Sequence, residues 1–135
     1  MIEIDHIGLA ARNALESARA LAEILGAAEP TPDGGDGDMH RVDLEHGASL
    51  LFSTSTTVAA EHIAFRVDPH RFTDVVTRLQ ERGLPFGNDP DDLRNGKIDD
   101  PLGGAGRVYF VDANGHLFEV VCASSSSRPR ASAIS

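Results

Sequence analysis

The chain is poor in several residues on which chemistry is commonly built. It has one cysteine, Cys122, one tyrosine, Tyr109, one lysine, Lys97, and no tryptophan. A lone cysteine excludes an intrachain disulfide and a cysteine-built zinc site. Scarce lysine and a formal charge of −9 argue against nucleic acid, whose phosphates need basic partners, and disfavour an anionic membrane surface. No apolar run has the length of a membrane-spanning helix, and no basic segment followed by an apolar one marks a secretory signal. A reducing, cytoplasmic setting is the expectation. Serines cluster in the tail, so no Ser/His/Asp arrangement is credible, and the glycines at 103, 104 and 106 are not followed by the Lys-Ser/Thr of a phosphate loop.

What is present is an ordinary globular composition, 41% hydrophobic and 24% charged over 135 residues, which is the size of one domain. The informative feature is an internal repeat. Ile4-Asp5-His6-Ile7-Gly8-Leu9 matches Ala60-Glu61-His62-Ile63-Ala64-Phe65, with acid, histidine and isoleucine in register 56 residues apart. Each copy alternates as a strand does, and each precedes an amphipathic helix. The first helix opens at Asn13 and ends near Gly26, with Leu15, Ala18, Ala22 and Leu25 as its stripe. The second opens with Asp68 as N-cap and Pro69 behind it, ends at Gly83, and carries Phe72, Val75, Val76 and Leu79. A hairpin follows each helix. The first has strands at 42–44 and 49–52 about a turn at His46-Gly47, and the second has strands at 107–112 and 116–122 about Asn114-Gly115.

The expected fold is α+β, with two βαβββ modules at about 1–56 and 57–122. Leu84-Pro85-Phe86 serves as a short strand of the second module. One module leaves a sheet face uncovered, so two must pack together and a homodimer is expected. Residues 30–38 and 88–106 form the two long connections, the latter rich in aspartate and long enough to imply a purpose. Residues 123–135 have the composition of a disordered tail.

Glu119 is the most telling side chain. It sits within Leu117-Phe118-Glu119-Val120-Val121, where a carboxylate without a cation costs several kcal/mol. A metal ion satisfies it, and so does an ion pair with Arg107 or Arg66. His6 and His62 hold equivalent places in the repeat, with small residues beside them. With Glu119 they make a two-histidine, one-carboxylate set suited to a divalent ion such as Mn, Fe, Ni or Zn. Tyr109 and Arg107 share a strand face and can aim at the same cavity, Tyr109 toward a substrate oxygen and Arg107 or Arg66 toward an anionic group. His40 and Asp43 are weaker candidates for a base. His46, His70 and His116 read as solvent-facing.

Taken together, Ile-Asp-His-Ile-Gly-Leu, Glu-His-Ile-Ala-Phe-Arg-Val-Asp and Tyr-Phe-Val-Asp-Ala-Asn-Gly-His-Leu-Phe-Glu-Val resemble the vicinal oxygen chelate superfamily. That superfamily includes glyoxalase I, extradiol dioxygenases, fosfomycin-resistance enzymes and bleomycin-binding proteins. The resemblance covers residues 1 to 122 and implies metal ligands at His6, His62 and Glu119. Aligning Gly47 with Gly115 puts Leu51 at the position matching Glu119, which removes a fourth ligand or acid and weakens an isomerase reading. The resemblance thus implies a three-ligand metal enzyme acting on a small oxygen-chelating substrate. Lyase or addition chemistry stands ahead of dioxygenation, since single-pair dioxygenases are usually longer. The alternative it implies is a metal-free binding protein that sequesters a small molecule or antibiotic, which the acidic charge also suits.

Overall fold

The computed structural model describes residues 1–35 and 37–123 of the chain. The expectation for the tail lies outside the described residues, apart from Ala123. The order of elements is β1 (His6–Ala11), α1 (Ala14–Leu25), β2 (Thr31–Asp33), β3 (Met39–Asp43), β4 (Ser49–Thr54), β5 (His62–Val67), α2 (Pro69–Glu81), β6 (Arg107–Val111) and β7 (Leu117–Cys122). It is a small α+β fold with two mixed sheets, as the doubled pattern predicts. Among the described residues no helix is long and apolar enough to cross a membrane.

Among the described residues two compact units emerge, residues 1–61 with 112–116, and residues 62–111 with 117–123. In the first, the strand order is β1-β4-β3-β2. β1 pairs parallel with β4, and β2, β3 and β4 pair antiparallel. The connection expected over 30–38 therefore contains an edge strand, because Thr31, Pro32 and Asp33 pair with Arg41, His40 and Met39. Proline is tolerated there since an edge strand can leave one side unpaired. α1 starts where Asn13 Oδ1 accepts the Glu16 N–H and stops at Gly26, whose φ of 73° favours glycine. Its buried face is Ala14, Ala18, Leu21, Ala22, Ile24 and Leu25. Leu15, expected in that stripe, is only half-buried, because the face in contact with the sheet is rotated toward Leu21.

The second unit repeats the plan with the order β5-β7-β6. β5 runs parallel to β7, and β6 is antiparallel to it. The short strand expected at 84–86 is reduced to one bridge, between Gly87 and Tyr109. A Cβ at Gly87 would meet the Asp92 carbonyl at 2.4 Å, so only glycine lets the chain fold back so closely. α2 is capped by Asp68 Oδ1, which accepts the Arg71 N–H, and buries the expected Phe72, Val75, Val76 and Leu79. These pack on the sheet face that carries Val108, Phe110, Phe118, Val120 and Cys122, all buried. Strand alternation sends Leu117, Glu119 and Val121 to the opposite face.

Candidate functional site

The register of the second sheet brings the chemistry together. Ala64 on β5 and Tyr109 on β6 both lie opposite Glu119 on β7, and His62 and Leu117 pair two residues along. His62, Glu119, Tyr109, Arg107 and Arg66 thus share the face turned away from α2. Glu119 Oε1 lies 2.9 Å from His62 Nε2, and Glu119 Oε2 accepts from Arg107 Nη1. The Glu119 side chain is 7% exposed and that of His62 is 51% exposed. A buried acid is therefore presented beside an accessible imidazole. The Tyr109 ring stands 6.2 Å from that of His62, centre to centre.

Arg107 is the hub of this face. Its Nε and Nη2 donate to Asp100 Oδ1 and Oδ2 at 3.1 and 3.3 Å, while Nη1 serves Glu119. The hydrogen bond to Asp100 holds the guanidinium above its ordinary pKa, although burial opposes this. Burial pushes the Asp100 carboxyl up. Hydrogen bonds from Arg107 and the Leu102 amide, with the charge of Arg107, more than offset that and hold it below the usual carboxylate value. Burial, followed by the nearby Glu119 charge, raises the Tyr109 hydroxyl above its ordinary value. A neutral, buried phenol can donate a hydrogen bond to a developing negative charge.

Arg107 was expected to face an anionic substrate group, but three of its nitrogens already face carboxylate oxygens. Of the two pairing options for Glu119, the structure realises the one with Arg107. Arg66 is exposed and has no ion-pair partner among the described residues.

His6 lies in the first unit, apart from this cluster in the division of the chain. Its Nδ1 is 2.8 Å from Asp5 Oδ2 and donates to that carboxylate. It lines a recess of about 280 Å³ with Asp5, Arg41, Asp43, Ser49 and Leu51. Gly8 lies opposite Leu51 as Ala64 lies opposite Glu119, so the structure places an apolar side chain at the position matching the acid. His40 does not reach this face. It pairs with Phe52 and points with Val42 toward the buried side, where its Nδ1 has no hydrogen-bond partner in the structure. Asp43 is braced by Arg41 at 2.9 Å.

Among the described residues no group of three His, Cys, Asp or Glu is placed to hold a metal ion. The pair in the second unit nevertheless fits one. Ligands about 2.0–2.2 Å from an ion and at right angles stand roughly 3 Å apart, close to the 2.9 Å between His62 and Glu119.

No protein-family model and no curated protein matches the chain. Solved structures do. Oxidase ChaP-H1 is 34% identical with a TM-score of 0.83, over 94% of this chain and 100% of that one. Oxidase ChaP-H2 is 33% identical with a TM-score of 0.82, over 93% and 97%. A fosfomycin resistance protein, FosX from Listeria monocytogenes, shares the fold at 17% identity and a TM-score of 0.62, over 89% and 92%. The chain belongs to the vicinal oxygen chelate superfamily.

In this superfamily member two contributing residues escaped the sequence reading. His116 is fully buried rather than solvent-facing. Its Nδ1 accepts the Glu61 N–H at 3.0 Å and its Nε2 donates to the Ala10 carbonyl at 2.8 Å, which braces the chain ahead of His62. Strand parity was the only signal for it, and the residue lies just before β7, where parity does not apply. Asp100 is one of the aspartates of the 88–106 connection, and nothing in that composition sets it apart.

Proposed function

We propose that this superfamily member is a metal-dependent enzyme that oxidises a small substrate able to chelate through its oxygens. One observation carries the reading: His62 Nε2 and Glu119 Oε1 stand 2.9 Å apart, beside a buried tyrosine, on the sheet face turned away from α2. His62 and Glu119 would hold a divalent ion such as Mn, Fe, Ni or Zn, with His6 as the third ligand. His6 is the part of the reading that neither unit shows by itself. Bound there, the ion would supply Lewis acidity or a platform for dioxygen.

The chain's own residues supply the rest. Tyr109 donates a hydrogen bond to a substrate oxygen, and its raised pKa keeps it protonated for that task. Arg66 receives an anionic substituent, and Arg107 holds Glu119. Oxidation moves ahead of lyase or addition chemistry for a specific reason. The objection from length fails, because this chain spans the whole of oxidase ChaP-H1.

The test is metal analysis of protein purified without a histidine tag, followed by oxygen-uptake assays on small vicinal-oxygen compounds. A stoichiometric divalent ion is expected, lost in His62→Ala and Glu119→Gln. Wild-type protein that binds no ion sinks the reading. A second reading, a metal-free binding module, is favoured by the Arg107–Glu119 pair, which already supplies the buried acid with a cation. Ligand binding without ion uptake would establish it.

A further inference from the structure

The long connection between α2 and β6 is ordered by its own hydrogen bonds, two of them on the residues just before Asp100. Asn88, buried, donates from Nδ2 to the Asp99 carbonyl at 2.8 Å, and Asn95 Nδ2 donates to Asn88 Oδ1 at 2.9 Å. The Gly96 N–H donates to the Phe86 carbonyl at 2.9 Å, and the Arg107 N–H to the Ile98 carbonyl at 3.0 Å. Asp100 is fixed from both sides, and its Oδ1 also accepts the Leu102 N–H at 2.8 Å. Its side chain is only 4% exposed, against 15% for Arg107.

Holding a loop to a strand would need only the Asp100–Arg107 pair. Here the same guanidinium extends a third nitrogen to Glu119 Oε2. The terminal torsion of a glutamate is broad, so an unrestrained Glu119 could turn either oxygen, or both, toward a ligand. A fork locked on one side by Asp100 removes that freedom. Asp100 also balances the charge of Arg107, so the attraction of Glu119 for a cation is not cancelled.

We propose that Asp100 is a positioning residue, which through the Arg107 guanidinium fixes Glu119 so that Oε1 alone is offered beside His62 Nε2. The proposal deepens the reading above and rests on it for the identity of what Oε1 meets. Lysine at 107 keeps the charge but lacks the planar fork, so it cannot serve both carboxylates in this geometry. The purpose expected of the long connection is then to deliver Asp100.

The experiment compares Asp100→Asn, Arg107→Lys and, as a control, Glu29→Gln, which removes the exposed Arg19–Glu29 pair. Two quantities are read: the Mn(II) dissociation constant, from the electron paramagnetic resonance of free ion, and the Glu119 Oε1 to His62 Nε2 separation in ion-free crystals. Asp100→Asn and Arg107→Lys should each weaken Mn(II) binding by about ten- to a hundredfold and let Glu119 swing from His62, with the strands unmoved. Glu29→Gln should change neither. An unmoved Glu119, or Mn(II) binding as tight as wild type in either variant, overturns the proposal. If the wild type binds no Mn(II), the ion reading is what fails, and the crystal separation alone decides on Asp100. Should Asp100→Asn fail to fold, Arg107→Lys carries the test.

Discussion

Glu119 tolerates burial because two partners divide its oxygens between them, His62 on one and Arg107 on the other. Asp100 behind Arg107 links that site to protein stability. Its folded-state pKa lies below the ordinary carboxylate value, so its contribution is fully present above the unfolded value. That contribution is lost as pH falls through the folded one. Acid-side urea denaturation should therefore show a steeper loss of stability for wild type than for Asp100→Asn, and parallel curves would contradict the assignment. His116 acts by different means. Its hydrogen bonds require the neutral tautomer protonated on Nε2, since Nδ1 accepts from a backbone amide. His116→Ala leaves the Glu61 N–H and the Ala10 carbonyl without these partners. It should cost about 1–3 kcal/mol in equilibrium unfolding, as two hydrogen bonds at roughly 0.5–1.5 kcal/mol each are lost. A cost under about 1 kcal/mol would mean that water replaces the imidazole.

Among the elements, α2 was the most legible. Its cap, its proline and its four-residue stripe all stand where the 3.6-residue period puts them. Leu79 is fully buried, so Leu79→Ala should destabilise by about 2–5 kcal/mol in chemical denaturation. A loss below about 1 kcal/mol would contradict tight packing of the stripe. α1 was legible in its ends but not in its face. Several of its residues are alanine, and a small apolar side chain marks orientation weakly. β2 was missed for the opposite reason: Thr-Pro-Asp has the composition of a loop, and only pairing with β3 makes it a strand. The strand expected at 84–86 dwindled to a bridge at Gly87 because the chain turns back on itself at once.

For the whole molecule, a charge of −9 on 135 residues favours cations, and binding to the folded state alone stabilises it. A divalent ion at a hundred times its dissociation constant should add about 2.7 kcal/mol and raise the melting temperature. Calorimetry with Mn(II) or Zn(II), against Glu119→Gln as the control, reads this directly. An equal rise in both proteins would place the ion elsewhere.

The repeat of Asp5-His6-Ile7 in Glu61-His62-Ile63, the two helix signatures and the buried acid in a β-strand determined the family, the doubled module and the ligand candidates from sequence alone. These are local patterns, legible because burial and backbone geometry impose them at short range. The register confirmed one inference of that kind, Leu51 standing where Glu119 stands in the other module. Which cation answers Glu119 was left open, and only the tertiary structure chose Arg107 over Arg66. That choice depends on strand register and on a loop that delivers Asp100 from outside the sheet. No periodicity encodes such a contact, because it is settled by where separate segments meet in space.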